Sequence, residues 1–236
     1  MAIPLVEFTS SRFIIIGLYS ILALMFVILG IRVRLRGQKT RQTNYISKFF
    51  LYVGGSLIVN IAYSPIAVQI IQQIGNNTVI LFTTLGVANL LLFTLSVKFS
   101  EKELTASKSI MIELLIFAAG IVYYFIPGGT TIQLPDYAPH WSINFVIYCL
   151  IVTQILMLGA IFTGIGIAKK MEDKTLRGRF NQFITGLVFN EILLISTILG
   201  NGGFLNSTIR LLLTLTIFPG AILIYLGVGR RLHNDS

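Results

Sequence analysis

Charge is scarce in this chain. Asp, Glu, Lys and Arg make up 11% of its 236 residues, where a soluble domain carries about 25%. That scarcity excludes an ordinary water-facing surface, and with 55% hydrophobic residues and a mean hydropathy of +0.83 the composition is that of a membrane protein. Strand-length alternation is missing too, which excludes an outer-membrane barrel built on segments of roughly 10 residues. Cys149 is the only cysteine, so an intramolecular disulfide and a cysteine-based metal cluster are excluded. It reads as a small apolar residue of a helix. Both histidines, His140 and His233, lie outside the apolar runs, which leaves an intramembrane zinc hydrolase without ligands. A P-loop, a nucleophile elbow and a paired catalytic Asp are all missing. The expectation is a protein with no enzymatic activity and no metal site.

Long apolar runs are abundant. Seven segments of about the 20 residues needed to cross a bilayer can be laid along the chain, at 13–31, 49–71, 78–97, 110–126, 143–168, 180–200 and 209–228. The predicted fold is all-α: one seven-helix transmembrane bundle over residues 1–236, with a tail of eight residues after Val228 and no attached output domain. The first twelve residues, MAIPLVEFTSSR, lack the basic stretch and small-residue cleavage site of a secretory signal, so the first span is expected to stay as an anchor.

The formal charge of +9 is distributed by side. Of the 18 Lys and Arg, 16 follow the first, third, fifth and seventh spans, and only Arg12 and Arg210 fall opposite. By the positive-inside rule this predicts an outside N-terminus and a cytoplasmic C-terminus in a multi-pass plasma (cytoplasmic) membrane protein. The basic loops suit an anionic inner leaflet rather than nucleic acid. The sequons Asn76-Asn77-Thr78 and Asn206-Ser207-Thr208 then fall in predicted external loops; Asn234-Asp235-Ser236 falls on the wrong side.

Spans one to three and five to seven would cross in the same sense, which permits a 3+1+3 arrangement. "FFLYVGGSLIVN" (49–60) and "FNQFITGLVFNE" (180–191) share Phe49/Phe180, Tyr52/Phe183 and Gly55/Gly186 in one register. Chance similarity within a small apolar alphabet explains them equally well. Ala160, Gly164 and Ala168 form a small-residue stripe that lets a neighbouring helix approach closely. Pro65 in the second span and Pro219-Gly220 in the seventh are hinge candidates, or fixed packing kinks. The longest external connection, "PGGTTIQLPDYAPHWS" (127–142), offers Asp136, His140 and Trp141 as outer-loop candidates. Trp141, Tyr137 and Tyr148 otherwise suit an interfacial aromatic belt.

Counting about 1.5 Å per residue from the span ends places Asn60, Asn89, Gln154, Asn190 and Glu191 near mid-bilayer. A carboxyl there costs on the order of 2.5–3.5 kcal/mol, so Glu191 should face the bundle interior or a wet cavity. No Lys, Arg or His lies near that depth to pair with it; Arg210, at the outer edge of the seventh span, is the only one inside any span. The expectation is a neutral acid hydrogen-bonded to one or more of these amides, serving a ligand or simply clasping helices. Glu113, near the inner end of the fourth span, is expected to snorkel or to pair with Lys108 or Lys102.

The topology is similar to the broad class of seven-helix receptors. The runs "HWSINFVIYCLIV" and "LRGRFNQFITGLVFNEILL" resemble prokaryotic seven-helix sensor modules that precede kinase or cyclase domains. This resemblance implies a receptor-like protein that binds a small molecule or lipid in the bundle and signals through basic cytoplasmic loops to a protein partner. Microbial rhodopsins share the topology, but "IRLLLTLTIFPGAILIYLGV" has no lysine to hold retinal, and no other cofactor is implied. The signatures of eukaryotic receptors are missing as well: the third span ends "TLSVKFSEK", and the seventh carries Phe218-Pro219-Gly220. Two further classes fit the same residues. One is a small-solute transporter with Asn60, Asn89, Asn190 and Glu191 around a central site; the other is a structural or assembly subunit.

Overall fold

The computed structural model describes residues 10–36, 40–100, 102–134 and 138–229. Its helices are α1 (Ser10–Arg36), α2 (Arg41–Tyr63), α3 (Gln69–Lys98), α4 (Ala106–Ile121), α5 (Ile143–Lys170), α6 (Lys174–Asn201), α7 (Ser207–Thr214) and α8 (Ile217–Ile224). A 3-10 turn extends α4 through Val122–Tyr124, and a π turn extends α8 through Tyr225–Gly229. Six helices are long and apolar enough to cross a membrane, so the chain is a multi-pass membrane protein by length and composition. The last apolar stretch, Leu212–Val228, is shorter and broken in its middle.

Several helices begin earlier than hydropathy predicts, because the residues that start them are polar. Thr40, Thr105, Ser142, Asp173 and Asn206 each accept a backbone N–H from the first turn of α2, α4, α5, α6 and α7 respectively. Such caps satisfy donors that a helix start leaves unpaired. In the loop before α4, the Ser100 N–H and hydroxyl both donate to Glu103, holding its carboxyl below the usual carboxylate range.

The second predicted span, 49–71, is wrong at its end. Proline has no N–H to continue a helix, and α2 stops at Tyr63 with Pro65 in the turn that follows. Pro65 therefore connects two helices instead of bending one. The turn is tied down by Gln72, whose Nε2 donates to the carbonyls of Tyr63, Ser64 and Ile66 at 3.1, 3.1 and 2.8 Å. Residues 72–77, expected as a loop, belong to α3. Asn76 and Asn77 are 4% and 3% exposed within that helix, so this sequon is not an external acceptor site.

Residues 127–142 contain strand that the sequence reading did not anticipate. β1 (Thr130–Gln133) and β2 (Ala138–Trp141) form an antiparallel hairpin, with Thr130 paired to Trp141 and Gln133 to Ala138. Pro127-Gly128 turns the chain into it, with Gly128 at φ +62, a conformation open to glycine. Asn77 anchors the hairpin: its Nδ2 donates to the Tyr123 carbonyl at 3.2 Å and its Oδ1 accepts the Thr130 hydroxyl at 2.9 Å.

Successive long helices run antiparallel. Close approaches pair Gly54 with Phe26 and Val27, Gly86 with Val53, Gly120 with Leu81, Gly164 with Ile184, and Gly227 with Phe183. The hairpin thus marks one end of the bundle, and Lys48, Lys98, Lys169, Lys170, Lys174 and Arg177 lie toward the other. At this basic end Phe26, Phe49 and Phe50 pack together with centroids 5.0–6.1 Å apart. Phe93, Phe180 and Phe183 form a second group at 5.1–6.5 Å. Glu113 pairs with Lys48, at 2.7 and 3.0 Å, and not with Lys108 or Lys102; Lys108 donates to the Glu103 carbonyl instead.

Candidate functional site

The hairpin half of the bundle holds a cavity of about 480 Å³ lined by α1, α2, α3, β2, α5, α6 and α7. Its volume falls in the range of about 300–1,000 Å³ typical of small-molecule sites. On α3 the lining residues Gln72, Asn76, Val79, Ile80 and Thr83 recur at helical spacing and make one polar-edged face. Leu194, Thr197, Ile198 and Asn201 do the same on α6. Thr153 and Cys149 face the cavity from α5, and the Thr153 hydroxyl is turned back to the Cys149 carbonyl at 2.8 Å. Ala138, Pro139 and Trp141 bring the hairpin over it.

Trp141 is 3% exposed and stacks edge-on against Phe145 at 5.0 Å, so it is a buried wall residue, not a member of an exposed interfacial belt. Phe145 in turn packs on Tyr123 at 5.8 Å, and the Tyr123 hydroxyl meets that of Thr84 at 3.0 Å. The hairpin side of the cavity is consequently backed by packed aromatic rings. None of the described lining residues is Asp, Glu, Lys, Arg or His. Four of them nevertheless carry a buried polar atom without a hydrogen-bond partner: Ser64 Oγ, Asn76 Nδ2, Trp141 Nε1 and Asn201 Oδ1. Buried polar atoms are ordinarily paired, and an unpaired one costs about 1–3 kcal/mol. Gathering four around one space gives the cavity wall donors and acceptors that a ligand or water can meet.

The five polar groups predicted at one depth separate into different places. Asn60 lines the cavity. Asn89 lies five residues beyond Thr84, about 7 Å closer to the basic end by helical rise, 1% exposed, with its Nδ2 on the Leu85 carbonyl at 2.8 Å and its Oδ1 unpaired. Glu191 and Gln154 are neighbours on α6 and α5, but the expected hydrogen bond between carboxyl and amide is not formed. Both Glu191 oxygens and Gln154 Nε2 still lack a direct hydrogen-bond partner among the described residues. Asn190 donates to the Gly186 carbonyl at 2.9 Å and faces α8, where a Cβ on Gly220 would stand 2.6 Å from its Nδ2. Side chains that share a depth on separate helices meet only if their helical faces also agree.

The second hinge candidate coincides with a break. Pro219 cannot donate to the Leu215 carbonyl, and the helix gives way there: Leu215, Thr216 and Phe218 each bond three residues back rather than four. The Thr216 hydroxyl reaches the Leu213 and Phe189 carbonyls at 2.6 and 3.2 Å, which ties the break to α6. Beyond it Gly186 and Gly220 let the two helices touch backbone to backbone, since a Cβ on Gly186 would sit 2.8 Å from the Gly220 carbonyl oxygen. Of the outer-loop candidates, His140 is exposed on β2, and Asp136 lies outside the described residues.

The polar stripe Gln72, Asn76, Thr83 escaped the sequence reading because hydropathy assigned its first half to a loop. Its 4-and-7 spacing was the signal available. No protein-family model matches the chain, and no curated protein matches it.

Proposed function

We propose that this chain is a receptor-like integral membrane protein that binds a small molecule or lipid in the cavity at its hairpin end and responds at its basic end. In this reading the last apolar stretch completes a seven-helix bundle. The hairpin end faces outside, and the basic loops face an anionic inner leaflet and a protein partner, as the distribution of Lys and Arg supports. The observation that carries the proposal is the cavity with its four unpartnered polar atoms.

The path for a response is short. Thr214 lines the cavity at the last residue of α7, and the Pro219-dependent break follows at once, leading through α8 to the basic end. A ligand that contacts α7 more strongly in one setting of the break than in the other shifts the population between them. The aromatic packing at the basic end leaves the cavity one-sided, which favours sensing over solute passage.

The test uses the protein in lipid nanodiscs with hexan-1-ol, hexanoate and hexylamine as probes. At least one should raise the thermal unfolding midpoint of the wild type but not of Thr197→Phe, which fills the cavity, and should alter hydrogen exchange in residues 171–177. If none of the three shifts the midpoint, or if binding leaves exchange at 171–177 unchanged, the proposal fails.

A further inference from the structure

The cavity is bordered by α1 on one side and α7 on another, through Ile16, Leu18 and Tyr19 and through Thr214. Among the described residues these two helices do not pack extensively on each other: α1 lies along α2, and α7 along α6. The faces they turn outward are apolar, with Ile21 and Leu24 on α1 and Ile209 and Leu212 on α7 between 45% and 63% exposed. Ile16 is also the first residue of the candidate span in α1, so the seam lies at the depth of hydrocarbon and not above it. The seam between these two helices is the part of the cavity wall that borders lipid directly.

The lining defines the chemistry of the occupant. With no Asp, Glu, Lys, Arg or His among the described lining residues, a charged ligand would leave water without gaining a counter-charge, which is strongly unfavourable. A pure hydrocarbon would leave the buried donors of Asn76 and Trp141 and the acceptor of Asn201 as unpaired as before. An apolar body with an uncharged hydrogen-bonding end satisfies both conditions, because its end group can accept from Asn76 or Trp141 and donate to Asn201 or Ser64 after small side-chain rotations.

We infer that the ligand is an uncharged amphiphile dissolved in the bilayer, such as a long-chain alcohol or monoacylglycerol, and that it enters the cavity sideways between α1 and α7. This rests on the reading of the cavity as a ligand site.

Trp141 is the only tryptophan in the chain and stands in the cavity wall, so its emission reports occupancy. In proteoliposomes at pH 8, 2-bromododecan-1-ol, which carries its bromine beside the hydroxyl, should quench that emission saturably, dodecan-1-ol should reverse the quenching, and 2-bromododecanoate should quench at least tenfold less effectively. Thr197→Phe should abolish the saturable component, and Thr83→Phe, filling the same space from α3, repeats the test in a second fold background. Equal quenching by alcohol and carboxylate, or quenching by the alcohol that is linear and unaffected by dodecan-1-ol, overturns the inference. Saturable quenching by 2-bromododecanoate with none by the alcohol overturns the ligand class while leaving a ligand cavity in place. Saturable quenching by neither, joined to the absence of any midpoint shift with the six-carbon probes, removes the cavity reading as well.

Discussion

At the basic end six phenylalanines fill the space between α1, α2, α3 and α6, whereas at the hairpin end the same helices stand around a cavity edged with Asn, Gln, Ser and Thr. Hydropathy does not distinguish the two halves, since both are built from helices apolar enough to cross a membrane. What differs is where the polar residues stand and whether large side chains meet across the axis. In a bilayer, association of helices draws on packing and on interhelical hydrogen bonds more than on the hydrophobic effect. The filled half supplies the packing, and the hollow half leaves hydrogen-bonding groups available.

The largest effect expected from this contrast is at Phe183, fully buried against Phe93 and Phe180. Phe183→Ala should destabilise the protein by about 3–5 kcal/mol in denaturant-titrated bicelles, as aromatic truncations in cores do. Thr197→Ala in the cavity wall should change stability by less than about 1 kcal/mol. Comparable losses at the two sites would erase the distinction between a filled and a hollow half.

Glycine substitutions sharpen the same contrast at intermediate size. Gly186→Ala places a methyl 2.8 Å from the Gly220 carbonyl oxygen, while Gly166→Ala meets nothing within 4 Å. The first should cost about 1–3 kcal/mol by overpacking, and the second should be neutral or stabilise by up to about 1 kcal/mol through helix propensity. Thermal unfolding of the two single variants side by side distinguishes them. The smallest effect belongs to Lys48 and Glu113, whose side chains are 33% and 24% exposed. A double-mutant cycle with Lys48→Met and Glu113→Gln should give a coupling of about 1 kcal/mol or less.

Much of the architecture was legible in the sequence, because apolar length and low charge are averages over about 20 residues and tolerate local exceptions. The errors fell where a single group decides. Pro65 lacks the one N–H that would have carried α2 onward, and Gln72 rewards the resulting turn with three carbonyl contacts. Asn76 and Asn77 looked like loop residues because averaging treats polarity as exposure. Asn77 is buried because its amide has two specific partners, Tyr123 and Thr130. The Glu191–Gln154 proximity was partly legible from depth, and the placement of Asn60 in the cavity and of Asn190 against Gly220 was not, because depth leaves the rotation of each helix unspecified. Adjacent residues of α6 therefore have different roles: Asn190 packs on α8 at Gly220, and Glu191 stands near Gln154, outside the cavity lining.

Acrylamide quenching in lipid nanodiscs tests the hollow half most directly, with Trp141 of the wild type compared against a Trp141→Phe, Phe93→Trp double variant that reports from the basic-end core. The account predicts that acrylamide, small and uncharged, quenches Trp141 measurably while the indole at position 93 stays shielded. Equal shielding of the two tryptophans would contradict it.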